Sequence, residues 1–440
     1  MENSINSNGK LGLTSAVTAA GASIGTTADV AEAKQIVLRG GKLENSAARI
    51  QTEAENASLL LGLRNVVEGR AQELIRKASR KQNDPVGSII DILRMASIST
   101  KGSEFGDPKV IEEFQQTIQK CESEPLILAM VMGGGKVANL LKTGLSFLPD
   151  LSEWHALSML EAVALAISEF RKAGCSILVI PDAALHTADL GFSIEESLIH
   201  QRMLRADLKL LGLRHVQVPE ILSFLENSDW PRTVRSLSIS VRKQEKVDQV
   251  FKKHVEDQIG SLVYSINTRV ADMNFEEAVL VYAAIANQHD DLSGPLRKQA
   301  DELMGRARAI VHHYIAVNFA IRQTGLVEKV VKTLTGSSRL LRMSVHAKRG
   351  EPRPALFTPS SQFPNLMGLL PMHSLGVCLR GNKVRYGAAF ELAARLRCWT
   401  RVVDDSGRFL YYENPESAER LEFAGLPCPL PQAGADMQTH

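Results

Sequence analysis

The stretch 126–181 constrains the fold more than any other part of the chain. An apolar run, 126–132, leads into three glycines and Lys136, which is typical of a buried strand that ends in a loop. Apolar residues then recur at helical spacing over 153–173, and 176–180 is a second apolar run, partly β-branched. A strand, a helix and a strand over this length predict a βαβ unit, with parallel strands and the helix on one face.

Ligands of such sheets bind at the carboxyl ends of the strands, where this chain carries Lys136 and Asp182. The preceding residues Gly133, Gly134 and Gly135 allow two interpretations. Backbone N–H groups and the lysine charge could bind an anion, or the segment is a tight turn with a surface lysine. The spacing matches neither a Walker A loop nor G-x-G-x-x-G. A ligand site is therefore expected at this edge of the sheet.

Two carboxylates and a histidine lie close to these positions in the sequence. Asp150 and Glu153 stand at the predicted start of the helix, and their spacing favours a capping pair. Either carboxylate could instead orient a substrate amine or act as a general base. Asp182 could face the ligand crevice or cap a loop, and His186 could transfer protons or be a half-buried loop histidine. The residues alone leave these alternatives open.

A second group of candidates lies near the C-terminus. Arg342, Ser344 and His346 alternate along a predicted strand, so their side chains should share one face. An arginine and a histidine on one face could hold a sugar phosphate. His373 lies in an apolar context, where a histidine is structural or part of a site. The spacing of the histidines and serines predicts neither a metal site nor a serine hydrolase.

Along the chain, the patterns predict an α/β protein: a Rossmann-like parallel sheet with a helical layer and an N-terminal helical extension. Strand-like runs follow the helical layer, so the chain should return to complete the sheet or form a second, smaller one. The predicted parts are a disordered N-terminus (1–30), a helical extension (31–83), an α/β core (84–235), a helical layer (236–335), a strand-rich C-terminal part completing the core (336–425) and a tail (426–440).

Composition narrows the class of protein. Hydrophobic residues make up 44% and charged residues 23% of 440 residues, as in ordinary globular proteins. A net charge of +2 favours neither nucleic acid nor a membrane as partner, and no apolar run is long enough to span a bilayer. The N-terminus is a poor signal peptide, and five scattered cysteines indicate reduced thiols. These features predict a cytoplasmic protein.

Four segments carry a resemblance to a known family. They are LPDLSE (148–153), PDAALHTADLGFSIEESLIHQRMLR (181–205), LRMSVHA (341–347) and LLPMHSLGV (369–377). In this order, over roughly 85–415, they resemble the pyoverdine/dityrosine biosynthesis family, the isonitrile synthases, whose PD-x-x-E element corresponds to the first segment. The family usually has an F-P-F-K-type segment where this chain has GGGK, so Lys136 matches and the glycines differ.

The resemblance implies an enzyme that converts the α-amino group of a tyrosine- or tryptophan-type amino acid to an isonitrile in secondary metabolism. Ribulose 5-phosphate would supply the carbon, and the reaction would need no cofactor and no metal. On this chain, the roles would fall on catalytic residues Asp150, Glu153, Asp182, His346 and His373, and on substrate-binding residues Gly133, Gly134, Gly135, Lys136, His186, Arg342 and Ser344.

The resemblance also implies partners. These are the small-molecule substrates and, by family analogy, a downstream iron/2-oxoglutarate oxygenase. Apart from the resemblance, the helical segment 31–81 could mediate self-association, so a homo-oligomer is possible. Two alternatives stay open. One is a divergent amino-acid-modifying enzyme on the same scaffold. The other is a non-catalytic interaction protein that uses its helices at 31–81 and 241–335.

Overall fold

The computed structural model describes thirteen segments of the chain. They are residues 47–79, 84–98, 107–120, 123–133, 135–136, 147–187, 193–225, 229–265, 295–345, 351–357, 375–379, 383–387 and 400–414. The described strands are β1 (Ala47–Ile50), β2 (Leu126–Met132), β3 (Cys175–Pro181), β4 (Val216–Gln217), β5 (Leu341–Ser344), β6 (Leu375–Leu379), β7 (Lys383–Gly387), β8 (Thr400–Val403) and β9 (Phe409–Asn414). The described helices are α1 (Glu53–Ala78), α2 (Pro85–Ala96), α3 (Pro108–Lys120), α4 (Leu151–Glu169), α5 (Ile194–Leu211), α6 (Trp230–Val247), α7 (Gln249–Ser265), α8 (Pro295–Gln323) and α9 (Leu326–Thr335).

A four-stranded parallel sheet in the order β4-β3-β2-β5 lies at the centre of the protein. Strands β2 and β3 pair in parallel over their full length, and α4 connects them. The predicted βαβ unit is therefore confirmed. Strand β5 pairs in parallel with β2 on the other side, although the helical layer separates the two strands in sequence. The chain thus returns after its helices to complete this sheet.

Helices cover both faces of the parallel sheet. Alternate residues of β2 point to opposite faces, as the pleat requires. Leu128 and Met130 pack with α2, α3, α4 and α5, whereas Ile127 and Ala129 pack with the helical layer formed by α6 to α9. Burying a large apolar side chain stabilises a fold by about 1.5–3 kcal/mol, so the two cores hold the sheet between its layers. The Rossmann-like α/β class is confirmed.

A second sheet contains the strand-like segments of the C-terminal part. Its order is β1-β8-β9-β6-β7, with both parallel and antiparallel pairs. The periodicity predicted helix over 31–81, but Ala47–Ile50 is a strand, because it pairs in parallel with β8. Arg49 of this strand forms ion pairs with Glu413 and Glu55. Pairing with β8, which is distant in the sequence, thus decides the conformation of 47–50, whose own hydrophobic pattern is weak.

Helix α4 lies between the two sheets and carries the start of the candidate site. Its side chains are buried on nearly every side, because it packs on the parallel sheet, on α1 and on the second sheet. Trp154 of α4 packs with Leu59 of α1 and with Leu410 and Tyr411 of β9. Helix α1, which lies within the predicted helical extension (31–83), is therefore part of the packed core, and residues 31–46 and 80–83 of that extension lie outside the described residues. Within the described ranges, no helix combines the length and apolar character needed to cross a membrane.

Candidate active site

Polar side chains gather at the carboxyl edge of the parallel sheet. Strand β2 ends at Met132 and is followed by Lys136, and β3 ends at Pro181 and is followed by Asp182. The N-terminus of α4, with Asp150 as its N-cap, returns to the same edge. This is where the βαβ arrangement predicted a ligand site.

Lys136 lies inside the protein and contacts two carboxylates. Its side chain is fully buried, and its Nζ lies 2.6 Å from Asp150 Oδ2 and 3.0 Å from Glu153 Oε2. Nζ also donates a hydrogen bond to Ser152 Oγ at 3.0 Å. The interpretation of Lys136 as a surface lysine is therefore wrong, because its ammonium group forms a buried ion cluster. We call Lys136, Asp150, Ser152 and Glu153 the lysine cluster.

The local structure of α4 explains how the two carboxylates come together. Asp150 Oδ1 accepts a hydrogen bond from the N–H of Ser152 at 2.8 Å, and Glu153 Oε2 accepts one from the N–H of Asp150 at 2.9 Å. This is a capping box, which satisfies N–H groups of the first helical turn. The capping interpretation is thus confirmed. The same geometry presents both carboxylates to Lys136, so the two roles are compatible.

Burial changes the proton affinity of groups in and beside the lysine cluster. It raises the pKa of Glu153 to about 8; the charge of Lys136 acts against this rise and that of Asp150 adds to it. Burial also lowers the pKa of His200 to about 3, and the hydrogen bond between its Nδ1 and the Phe147 carbonyl, 2.7 Å long, only partly offsets this effect. Both shifts have the same cause, because burial disfavours the charged form of each group.

A second polar group follows β3. Asp182 Oδ2 lies 3.6 Å from Nε2 of the buried His186, and the His186 ring packs against Tyr314 of α8 with 4.7 Å between centroids. The Asp182 side chain is 15% exposed, whereas the carboxylates of the lysine cluster are buried. A carboxylate beside an imidazole can orient it for proton transfer. Of the three predicted carboxylates Asp150, Glu153 and Asp182, Asp182 has the most solvent-exposed side chain.

Arg342 and Ser344 occupy strand β5 as predicted, but Arg342 lies away from the lysine cluster. It is opposite Ala129 in register, on the face that the helical layer covers, and its guanidinium lies 2.5 Å from a Glu328 carboxylate oxygen of α9. Ser344 is buried, and its N–H donates to the Pro352 carbonyl at 3.0 Å. Arg342 thus pairs with a carboxylate on the face opposite α4.

The remaining predicted residues lie either in the loop that follows β2 or outside the described residues. Gly135 is buried and Gly133 half-buried beside the lysine cluster. Gly134, His346 and His373 lie outside the described residues. Among the residues that the structure describes, no three His, Cys, Asp or Glu side chains are grouped so that they could hold a metal ion.

The sequence did not single out several residues that surround the lysine cluster. Ser152 belongs to it, and Tyr314 packs on His186. His155 of α4 is fully buried and its Nδ1 lies 3.1 Å from the Tyr386 hydroxyl of the second sheet. Ser152 lies inside the PD-x-x-E element and His155 two residues after it, both in the first turns of α4. Polar residues on an otherwise apolar helix were the signal that could have identified them.

An ion network joins the second sheet to α4 and α5 next to Glu153. Arg408 donates hydrogen bonds to both carboxylate oxygens of Asp207 at 2.9 and 3.0 Å, and to Asp404 at 2.9 Å. Its guanidinium lies 5.3 Å from the centroid of the Trp154 ring. Burial raises the pKa of Asp207, and the charge of Arg408 opposes this effect. These contacts fix the position of Trp154, the neighbour of Glu153.

Comparisons with known proteins agree with this architecture. Residues 134–395 match the family model described as pyoverdine/dityrosine biosynthesis protein, a range that contains Lys136, Asp150, Glu153 and Asp182. The structure is similar to the crystal structure of the PvcA protein from Pseudomonas aeruginosa, with a TM-score of 0.54 and 16% sequence identity. That match covers 76% of this chain and 100% of the PvcA chain. No curated protein sequence matches this chain.

Proposed function

Because the chain belongs to the pyoverdine/dityrosine biosynthesis family, we propose that it is a biosynthetic enzyme of the isonitrile synthase type. It converts the α-amino group of a tyrosine- or tryptophan-type amino acid to an isonitrile, and ribulose 5-phosphate supplies the isonitrile carbon. The reaction begins with condensation of the amine and the sugar ketone. It continues with proton transfers and cleavage of a carbon–carbon bond.

The lysine cluster is the observation that carries this proposal. Condensation and cleavage require groups that give and take protons in a site that excludes water. Lys136, Asp150 and Glu153 are such groups, and all three are buried at the edge of the sheet where ligands bind. At the end of the neighbouring strand, the partly exposed Asp182 lies 3.6 Å from the buried His186. Proton-transfer groups that follow two neighbouring strands suit a reaction with several proton movements.

For two cations we propose roles that differ from those that the sequence suggested. Lys136 and Arg342 were predicted to bind the sugar phosphate, but each is already within 3.0 Å of a carboxylate. We propose that Lys136 instead serves the proton-transfer cluster, and that Arg342 joins β5 to α9. His346 and His373 remain predictions for acid–base catalysis. A downstream oxygenase and a cytoplasmic location remain part of the same proposal.

Mass spectrometry of the products tests this function. Purified protein is incubated with tyrosine or tryptophan and ribulose 5-phosphate. We expect a product with one carbon more and two hydrogens fewer than the amino acid, formed equally well in the presence of a metal chelator. Asp182→Asn should slow its formation, whereas Glu195→Gln, which changes an exposed carboxylate of α5, should not. A lack of product with both amino acids would refute the named reaction and leave family membership unchanged.

A further inference from the structure

We propose that the lysine cluster stores one proton as a neutral carboxylic acid on Glu153, bound to Oε1, and that this acid is the proton donor in the condensation of amine and ketone. The inference rests on the proposed function for its second half only. The location of the proton follows from the geometry of the cluster and can be tested without any substrate.

The first step of the argument is the charge balance of the lysine cluster. Two carboxylates and one ammonium would carry a net charge of −1 if all were ionised, and all three side chains are buried. An uncompensated buried charge is strongly unfavourable, so a carboxyl group in such a place takes up a proton instead. His200, whose pKa burial lowers, is neutral beside the cluster. Arg408 is already paired with Asp207 and Asp404.

The second step identifies the carboxyl group that holds the proton. Asp150 receives three short hydrogen bonds: from Lys136 Nζ at 2.6 Å, from the Ser152 N–H at 2.8 Å and from the Ser152 hydroxyl at 2.6 Å. Such donors stabilise a carboxylate in its ionised form. Glu153 has only longer contacts, with the Asp150 N–H at 2.9 Å, Lys136 Nζ at 3.0 Å and the Ser152 hydroxyl at 3.4 Å, so the proton belongs to Glu153. The rise in the pKa of Glu153 agrees with this assignment.

The third step places the proton on one oxygen. Glu153 Oε2 faces three donors, the Asp150 N–H at 2.9 Å, Lys136 Nζ at 3.0 Å and, more distantly, the Ser152 hydroxyl at 3.4 Å. Glu153 Oε1 is buried and has no hydrogen-bond partner among the described residues. An oxygen that already faces several donors is a poor place for a hydroxyl hydrogen, so the proton lies on Oε1. The O–H group on Oε1 then has no acceptor among the described residues, and a substrate oxygen that enters the cluster would be its acceptor.

The proton has a defined use in the proposed reaction. After the amine nitrogen has added to the ketone carbon, the hydroxyl group of the adduct must leave. Glu153 gives its proton to this hydroxyl, the C–O bond breaks, water departs, and the nitrogen lone pair forms the C=N bond. The resulting iminium returns its N–H proton to Glu153, so the acid is regenerated. Between the two transfers, the iminium balances the charge of the Glu153 carboxylate, and Lys136 that of Asp150.

Infrared spectroscopy of the substrate-free protein tests the location of the proton. Protein is prepared at neutral pH with and without glutamate labelled with ¹³C in the side-chain carboxyl group. We expect a carboxylic acid C=O stretching band that moves to lower frequency on labelling and is missing from Glu153→Gln. Glu245→Gln, which changes a buried glutamate of the helical layer, should keep the band. A wild-type protein without such a band, or a band that persists in Glu153→Gln, would overturn the assignment.

Kinetics then test the use of the proton. Glutamine keeps the shape and neutrality of the acid but cannot release a proton. Glu153→Gln should therefore form the isonitrile at least about 100-fold more slowly, the lower end of the effect of general acid catalysis. Wild-type rates in this variant would overturn the donor role. The Glu153 band in a wild-type protein that makes no isonitrile would support the proton assignment and refute the proposed function, so the two failures can be told apart.

Discussion

Replacing Lys136 with methionine should destabilise the fold strongly, because it removes the only ammonium group that the described residues place in the lysine cluster. Methionine fills a similar space without charge. Asp150 would remain buried as an unpaired carboxylate, and removing one partner of a buried ion pair costs about 3–5 kcal/mol. The folded variant can instead protonate Asp150. From an ordinary Asp pKa of about 3.9, this costs about 4 kcal/mol at pH 7.

The pH dependence of this loss gives the prediction its sign. If folded Lys136→Met protein keeps Asp150 protonated, it binds one proton that the unfolded chain releases above the ordinary Asp pKa. Its stability relative to wild type therefore rises as the pH falls, by about 1.4 kcal/mol per pH unit. We expect a loss of about 4 kcal/mol at pH 7 and about 1.5 kcal/mol at pH 5. Urea unfolding of both proteins at the two pH values measures the difference.

A double variant provides the matched control. Lys136→Met combined with Asp150→Asn leaves no charge to balance, and asparagine is as good an N-cap as aspartate. The double variant should therefore be more stable than Lys136→Met alone at pH 7, although it departs further from the native sequence. Equal or lower stability of the double variant, or a loss in Lys136→Met that does not change with pH, would refute the reasoning from buried charge.

Three further predictions concern the same part of the molecule. Since the pKa of Glu153 is raised from 4.5 to about 8, the stability that its protonated form contributes is fully present below pH 4.5 and is lost as the pH rises to 8. In Glu153→Gln the free energy of unfolding should not show this fall with pH, and urea unfolding across that range measures it. Arg408→Met should destabilise by about 3–5 kcal/mol because Asp207 stays buried without its partner, and adding Asp207→Asn should restore part of the stability. Tyr386→Phe should lose about 1 kcal/mol with the hydrogen bond to His155, and a thermal unfolding temperature equal to wild type would contradict a role for that bond.

The general architecture could be predicted from local patterns. The strands of a parallel sheet with helices on both faces are buried throughout, so β2 and β3 appear in the sequence as continuous apolar runs. Asp150 and Glu153 form the capping box that their spacing favours, because both partners lie within one helical turn. Such features depend on residues close together in the chain.

Other features depend on contacts between distant segments and could not be predicted in the same way. The sequence of β1 is short and weakly patterned, and its pairing with β8, about 350 residues away, makes it a strand. Tyr386 meets His155 across 231 residues, and Tyr314 reaches His186 from a helix of the opposite layer. The periodicity of a segment does not indicate which side chains from distant segments will contact it.

The amino-acid sequence by itself determined the βαβ unit, the sheet edge at which ligands should bind and the residue types gathered there. Only the tertiary structure decided the electrostatic state of those residues. Lys136 followed by a loop could have been a surface charge, and Arg342 could have faced the same site. In the folded chain, Lys136 is buried at the N-terminus of α4 and forms ion pairs with two carboxylates. Arg342 lies beside α9 and forms an ion pair with Glu328. The charge of a group is set by the solvent and partners around it, which only the folded chain provides.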